Sequence, residues 1–181
     1  MVFILLGDGF EEAEALVPAD LLRRAGVDVI LTALQGQEVT GGHGITVRAD
    51  AQLSQLDPEE CELIFLPGGG GGVKSLAACP QALELVRSHY EKGGYVAAIC
   101  AAPTLLASLG LLGGRKAVCY PGMENQMTGA LMQKGTPVVV DGAVITGEAA
   151  GSSFAFGLKL VELLKGPTMA EQVKESVHYR S

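Results

Sequence analysis

A cysteine stands at a sharp junction between two sequence patterns. The apolar run Tyr95–Ile99 is typical of a buried strand, and the small residues 101–107, with a proline in the first turn, predict a helix directly afterwards. Cys100 therefore lies on the turn between them. Ala98 and Ala102 supply the small neighbours that a tight strand-to-helix turn needs when it exposes a nucleophile. We interpret this turn as a nucleophile elbow.

The position of Cys100 also bears on its acidity. Free amides at a helix N-terminus favour the thiolate over the thiol, so this location predicts a lowered pKa for Cys100. A buried structural cysteine is the alternative, because free cysteines are among the most buried residues of proteins. The surrounding segments are therefore needed to choose between the two interpretations.

A run of five glycines, residues 68–72, follows the apolar stretch Leu63–Leu66. Because loops at the carboxyl ends of parallel strands converge on one crevice, this run is expected to face the cysteine turn. Amides of Gly69 and Ala101 would then form an oxyanion hole beside the sulfur of Cys100. A phosphate cradle is the competing interpretation, but the run lacks the Gly-Lys-Ser/Thr ending and the GxGxxG spacing. The third interpretation is that the glycine run forms a purely structural turn.

Three glutamates, Glu11, Glu12 and Glu14, open a predicted helix over residues 11–25. Acidic residues in a first helical turn complement the helix dipole and face solvent, which accounts for two of the three. A carboxyl placed in the crevice beside the cysteine would be kept protonated by desolvation and would serve as a general acid or base. The pattern alone does not select this glutamate.

Short apolar runs bounded by glycine alternate with helical patterns along the 181 residues. This alternation predicts βαβ units in one domain, with a mostly parallel sheet covered on both faces as a three-layer α/β sandwich. An Asp-Gly pair at 141–142 predicts one antiparallel hairpin, and the Gly-rich turn around His43 separates two short strands. The other predicted elements are strands at 2–6 and 27–34 and helices at 81–92, 151–164 and 169–176.

The net charge of −7 argues against several classes of partner. Binding the nucleic-acid backbone calls for clustered Lys and Arg, so no such partner is expected. The four cysteines form no CxxC pair, which argues against structural zinc and favours a reduced, cytoplasmic setting. The apolar run at 2–6 is too short to span a bilayer, so no membrane partner is expected. Neither a metal nor another cofactor is expected.

Five motifs follow one another along nearly the whole chain. They are Gly9-Phe10-Glu11-Glu12-Ala13-Glu14, Leu22-Arg23-Arg24-Ala25-Gly26, Leu66-Pro67-Gly68-Gly69, Ala97-Ala98-Ile99-Cys100-Ala101-Ala102-Pro103 and Gly151-Ser152-Ser153-Phe154. Together they resemble the ThiJ/PfpI superfamily, specifically the parkinsonism-associated DJ-1 branch and its bacterial relatives. The resemblance implies a flavodoxin-like fold, a homodimer and an oxidation-sensitive nucleophile at Cys100.

The resemblance also selects Glu14 as the carboxyl that hydrogen-bonds the cysteine, and Gly69 with Ala101 as the amide donors. Gly68, Gly70 and Tyr120 are further candidates to line the site. The resemblance also places the turn that carries His43 near the site, but a solvated loop histidine is the favoured interpretation of that residue. The chain departs from the family pattern where Cys119-Tyr120-Pro121 replaces a histidine before proline, and where Glu148 replaces an arginine. Catalysis would then rest on Cys100 and Glu14.

The resemblance implies two functions that use the same two residues. In the first, the Cys100 thiolate adds to a small α-oxoaldehyde such as methylglyoxal, or acts on early glycation adducts, while Glu14 moves protons without a cofactor. In the second, a redox-responsive protective or chaperone-like protein, Cys100 is oxidised to a sulfinate that Glu14 and nearby amides stabilise. Turnover separates the two functions, because only an enzyme consumes substrate repeatedly.

Overall fold

A computed structural model describes residues 1–180. Its strands are β1 (Val2–Leu6), β2 (Val29–Ala33), β3 (Glu38–Thr40), β4 (Thr46–Arg48), β5 (Ala51–Gln52), β6 (Leu63–Leu66), β7 (Tyr95–Ile99), β8 (Lys116–Ala117), β9 (Leu131–Met132), β10 (Val138–Asp141) and β11 (Val144–Gly147). Its helices are α1 (Glu12–Arg24), α2 (Gly70–Ala77), α3 (Pro80–Glu91), α4 (Pro103–Ser108), α5 (Ser153–Lys165) and α6 (Pro167–Ser176). None of these helices combines the length and apolar character needed to cross a membrane.

Seven of the strands form one sheet in the order β10-β11-β7-β6-β1-β2-β5. All neighbours in this sheet run parallel except the β10–β11 hairpin, which turns at Gly142 with a φ of 61°. The predicted mostly parallel sheet with one antiparallel pair is therefore confirmed. Outside the sheet, β3 and β4 form the predicted small hairpin, and β8 pairs with β9.

Helices cover both faces of the sheet, as the near-continuous apolar strands require. Successive side chains of a strand point to opposite faces. Ile4 and Leu6 of β1 accordingly belong to the apolar cluster under α1, α5 and α6, whereas Phe3 and Leu5 belong to the cluster under α2, α3 and α4. The structure is thus a flavodoxin-like three-layer sandwich, and the carboxyl ends of β1, β6 and β7 meet at one edge of it.

Two elements near that edge differ from the sequence-based prediction. The glycine run is not a loop throughout, because α2 begins at Gly70 and takes the last three glycines into its first turn. Close contact with the turn after β1 explains the glycines, since a Cβ on Gly72 would lie 2.7 Å from Phe10 Cα. Helix α4 begins at Pro103, two residues later than predicted, and so leaves a short turn after Cys100.

Candidate active site

The turn after β7 holds Cys100 in a strained conformation. Its φ of 65° lies in the left-handed region, which costs about 1–2 kcal/mol for a residue with a Cβ. The Cys100 N–H donates to the Gly147 carbonyl at 3.0 Å, and the Cys100 carbonyl accepts from the Tyr120 N–H at 2.7 Å. Ala98 and Ala102 are fully buried on either side. The predicted tight turn after the strand is therefore present, and two neighbouring segments fix its backbone.

Glu14 enters the site from the first turn of α1. Its side chain is completely buried, and Oε2 accepts a 2.9 Å hydrogen bond from the Gly68 N–H. Oε1 has no hydrogen-bond partner of regular geometry among residues 1–180, and the carboxyl lies within reach of the Cys100 thiol. Gly68 packs closely against both groups. A Cβ there would lie 2.7 Å from Cys100 Cβ and would overlap Glu14 Oε2.

Burial controls the proton affinity of this carboxyl. Desolvation raises the pKa of Glu14 from 4.5 to about 7, although the hydrogen bonds to Cys100 and Gly68 oppose the rise. Near neutral pH the carboxyl therefore exists in both protonation states. A group with this property is suited to take and return protons in a reaction at physiological pH.

The thiol differs from the sequence-based expectation of a lowered pKa. Burial, followed by the negative charge of Glu14, raises the pKa of Cys100 to about 12. Helix α4 begins only at Pro103, so the thiol is not at its first turn and gains little from the helix dipole. The prediction of an acidic thiol is therefore wrong for the resting site. A reaction of this sulfur as a nucleophile would require loss of its proton, and Glu14 is the ionisable group beside it.

Two backbone amides approach the sulfur of Cys100. Those of Ala101 and Gly69 lie within hydrogen-bonding reach of it and favour its charged form. Gly69 adopts a φ of 87°, and a Cβ on it would lie 2.5 Å from both Glu11 N and Gly9 O. The glycine turn is thus packed too tightly for any side chain, which fixes the direction of its amide.

Three of the remaining candidates, Gly68, Gly70 and Tyr120, have different surroundings. Gly68 lies between Glu14 and the thiol, whereas Gly70 begins α2 in open space. Tyr120 is joined to Cys100 through its backbone and leaves its side chain half exposed. Its neighbour Cys119 is buried after β8, and burial raises its pKa to about 11, which fits a strand-end residue.

His43 lies on the β3–β4 turn and contacts the start of α1. Its Nδ1 lies 3.0 Å from Glu12 Oε2 and 3.6 Å from Glu11 Oε1. Glu12 is only 6% exposed, so the expectation that the two other glutamates face solvent is wrong for it. Gly41 allows this burial, because a Cβ there would overlap the Glu12 carboxylate.

Burial of Glu12 does not neutralise it. Desolvation opposes its ionisation, but hydrogen bonds from the His43 ring and from the backbone of His43 and Ile45 outweigh it and lower the pKa of Glu12 to about 2. The same contact with Glu12 raises the pKa of His43. The three side chains bring carboxylate and imidazole ligand atoms within 4.8 Å of one another, which makes this cluster a candidate for holding a metal ion.

Another concave surface lies near these elements. A cleft of about 630 Å³ opens at the carboxyl ends of β1 and β2, and Asp8, Ser75 and Cys79 are among its lining residues. Cys100 is not one of them. The candidate pair lies outside this cleft, with Cys100 partly buried and Glu14 fully buried.

Comparison with known proteins identifies the family of this chain. The family model described as DJ-1/PfpI matches residues 1–163. The chain belongs to the DJ-1/PfpI family. It is 35% identical over 176 residues to protein dj-1beta of Drosophila melanogaster, with 96% of this chain and 94% of the relative covered. Among solved structures, the Drosophila protein superposes with a TM-score of 0.95 at 33% identity, covering 99% of this chain and 98% of that one.

Two further relatives of the family carry names that describe an activity. A glutathione-independent glyoxalase of Caenorhabditis elegans is 34% identical over 167 residues, covering 92% of this chain and 89% of the relative. A deglycase of Pyrococcus abyssi is 33% identical over 165 residues, covering 91% of this chain and 99% of the relative. The family resemblance drawn from the five sequence motifs is confirmed.

Proposed function

We propose that this protein is a cofactor-free enzyme that converts small α-oxoaldehydes such as methylglyoxal to 2-hydroxy acids, with Cys100 as nucleophile and Glu14 as proton carrier. The observation that carries the proposal is the buried Glu14 carboxyl, held by the Gly68 amide within reach of the Cys100 thiol. The glyoxalase and deglycase names of relatives at 33–34% identity support the same chemistry.

The first step forms a bond between sulfur and carbon. The Cys100 sulfur attacks the aldehyde carbon of methylglyoxal while its proton passes to the Glu14 carboxylate. The aldehyde oxygen takes the electron pair of the broken π bond, and the amides of Gly69 and Ala101 stabilise its negative charge. Glu14 then returns the proton to this oxygen, and the product is a hemithioacetal.

The second step moves hydrogen within the substrate. Glu14 removes the proton from the carbon bonded to sulfur, and the electron pair passes to the neighbouring ketone, giving an enediolate. The former ketone oxygen takes the proton of the adjacent hemithioacetal hydroxyl, and Glu14 carries the proton it removed. Reprotonation at the former ketone carbon gives a thioester of lactate. The aldehyde carbon is oxidised and the ketone carbon reduced, so no external electron acceptor is required. Water hydrolyses the thioester, releasing lactate and restoring the thiol.

Deglycation is the closest alternative, because early adducts of methylglyoxal with amines or thiols also end in lactate. Kinetics separates the two substrates. At a fixed concentration of free methylglyoxal, added N-acetylcysteine raises the concentration of the adduct alone. A rate that follows free methylglyoxal supports the glyoxalase proposal, and a rate that follows the adduct favours the deglycase.

The proposed enzymatic activity is tested by measuring lactate formation from methylglyoxal under multiple-turnover conditions. We expect the wild type to form many equivalents of lactate per chain, and Cys100→Ser and Glu14→Gln to form none above background. Cys79→Ser is the matched control, because this half-buried thiol lies away from the site and its loss should leave turnover unchanged.

The opposite result has a definite meaning. If the wild type gives no more than one equivalent of product, the enzyme proposal fails for this substrate. If mild peroxide then adds two oxygens to Cys100, as mass spectrometry would show, redox sensing is the better account of the same pair. Retained turnover in Glu14→Gln would instead remove Glu14 as the proton carrier.

A further inference from the structure

We propose that Glu11, Glu12 and His43 form a binding site for one divalent transition-metal cation of the Zn²⁺ class. The site joins the start of α1 to the β3–β4 turn and is separate from the Cys100–Glu14 pair. It is independent of the proposed enzymatic function, because it uses none of the reacting groups. It also runs against the sequence-based expectation of no metal, which rested on the cysteine spacing.

Two of the three ligand-atom distances fit a metal ion directly, and all three atoms lie within 4.8 Å of one another. Metal–nitrogen and metal–oxygen bonds of about 2.0–2.2 Å at octahedral to tetrahedral angles place neighbouring ligand atoms roughly 2.8–3.6 Å apart. His43 Nδ1 lies 3.0 Å from Glu12 Oε2 and 3.6 Å from Glu11 Oε1. A cation can therefore replace the proton on Nδ1 with small movements of the side chains.

The backbone around the site already holds Glu12 as a ligand. Its Oε1 accepts hydrogen bonds from the His43 N–H at 2.8 Å and from the Ile45 N–H at 3.4 Å, which leaves Oε2 directed at the imidazole. The absence of a side chain at Gly41 makes room for the carboxylate. Such outer hydrogen bonds orient carboxylate ligands and strengthen metal binding. Glu12 is thus fixed before any cation arrives.

Charge favours the same occupant. Glu12 accepts hydrogen bonds from the N–H groups of His43 and Ile45, contacts that favour an ionised carboxylate. With Glu11 and a neutral His43, two carboxylates and one imidazole give the site two negative charges, which a divalent cation balances. The mixed nitrogen and oxygen ligands suit Zn²⁺ better than Ca²⁺ or Mg²⁺, which take oxygen ligands. The His43 side chain is 69% exposed, so the site is open to solvent and to exchange with it.

A bound cation would also stabilise the wall of the candidate active site. The Glu11 N–H donates to the Gly68 carbonyl at 3.0 Å, and Gly69 packs directly on Glu11. A metal ion that joins Glu11 to the β3–β4 turn therefore restrains the glycine turn that carries the Gly69 amide. Metal binding is expected to order this turn without entering the chemistry at the sulfur.

The test is calorimetric titration of the chelator-treated, full-length protein with Zn²⁺ at mildly alkaline pH. We expect one equivalent per chain, with affinity falling about tenfold or more in His43→Gln and in Glu11→Gln. His178→Gln is the matched control, because it removes another exposed histidine and should leave the affinity unchanged. His43 and Glu11 are not core residues, so their variants should fold, which circular dichroism checks.

Cysteines are the competing ligands, and Co²⁺ distinguishes them. Co²⁺ bound through carboxylates and imidazole lacks the intense near-ultraviolet band of a cobalt–thiolate bond. Wild-type affinity in His43→Gln, or a thiolate band that disappears on alkylation, would overturn the proposal. Because both readouts measure binding, they remain informative if lactate formation fails, and a working enzyme does not by itself support the metal site.

Discussion

Single residues of the site owe their chemistry to burial rather than to residue type alone. Desolvation raises the pKa of Glu14 to about 7, and that of Cys100 to about 12 with the charge of Glu14 adding to the rise. The thiol therefore keeps its proton at rest, while the carboxyl is partly ionised near neutral pH. This order fits the proposed role of Glu14 as the base for Cys100, in contrast to a site in which a helix dipole alone produces the thiolate.

The raised pKa of Glu14 predicts a dependence of stability on pH. A folded-state pKa of about 7 against 4.5 in the unfolded chain means that the native protein binds the proton more tightly. This contribution is complete below pH 4.5 and is lost as pH rises through 7, amounting to roughly 3 kcal/mol in the free energy of unfolding. Glu14→Gln should remove this pH dependence.

Urea denaturation of both proteins across this pH range, with a chelator present, checks the prediction. We expect the stability of the wild type to fall relative to Glu14→Gln as pH rises. Glu175→Gln, which alters an exposed carboxyl on α6, should instead run parallel to the wild type. Parallel curves for Glu14→Gln as well would contradict the assignment of a buried, proton-binding carboxyl.

At the scale of elements, the turn between β6 and α2 packs against Cys100 and Glu14, the pair proposed to react. Gly68→Ala places a Cβ 2.7 Å from Cys100 Cβ and onto Glu14 Oε2, so the two side chains must separate. We expect turnover of methylglyoxal to fall by about tenfold or more, because proton transfer requires hydrogen-bond distance. Gly70→Ala is the matched control, since a Cβ there meets nothing within 4 Å.

The two variants separate a local from a general effect. Gly70→Ala should keep full turnover and gain up to about 1 kcal/mol of stability, because alanine favours the helix. Equal losses of activity in both variants would show that any change in the glycine run disturbs the site, and the specific role of Gly68 would be lost. Lactate assays together with thermal unfolding of each variant provide the measurement.

Close packing of α5 on α1 positions the helix that carries Glu14. A Cβ on Gly157 would lie 2.8 Å from Leu21 Cδ1 and 2.9 Å from Pro18 Cα, and the backbone atom cannot move aside without shifting α1. Gly157→Ala should therefore destabilise the protein by about 1–3 kcal/mol. Gly151→Ala, with open space around it, should change stability little. Chemical denaturation checks this, and equal stability of both variants would contradict the tight α1–α5 contact.

The sequence predicted elements well where local signals agree. Glycine and apolar runs define β6 and β7, whose observed bounds match the predicted ones. Helix α2 was missed because glycine disfavours helices, and here contact with Phe10 overrides that preference. The Glu12–His43 contact joins residues 31 positions apart, a pairing that no local pattern encodes. The prediction of a lowered pKa for Cys100 was wrong for the same reason, because the burial that raises this pKa depends on the fold and not on local sequence.

At the scale of the whole molecule, we expect charge to select among substrates of the proposed enzyme. The net charge is −7, and Glu11, Glu12 and Glu14 all lie on the element that borders Cys100. An anionic aldehyde approaching the thiol is repelled by this field, whereas a neutral α-oxoaldehyde is not. The homodimer implied by the family resemblance stays a prediction, and a second acidic copy would strengthen the repulsion.

This field predicts how salt affects binding at Cys100. Glyoxylate carries one negative charge, and its methyl ester carries none while presenting the same aldehyde to the sulfur. We use both compounds as competitive inhibitors of lactate formation. At low ionic strength the inhibition constant of glyoxylate should be about tenfold higher than that of the ester. Added salt screens charges beyond roughly 10 Å at 0.1 M, so the difference should shrink through tighter binding of glyoxylate alone. A difference that salt does not change would mean that contacts within the site, and not the charge of the molecule, select neutral aldehydes.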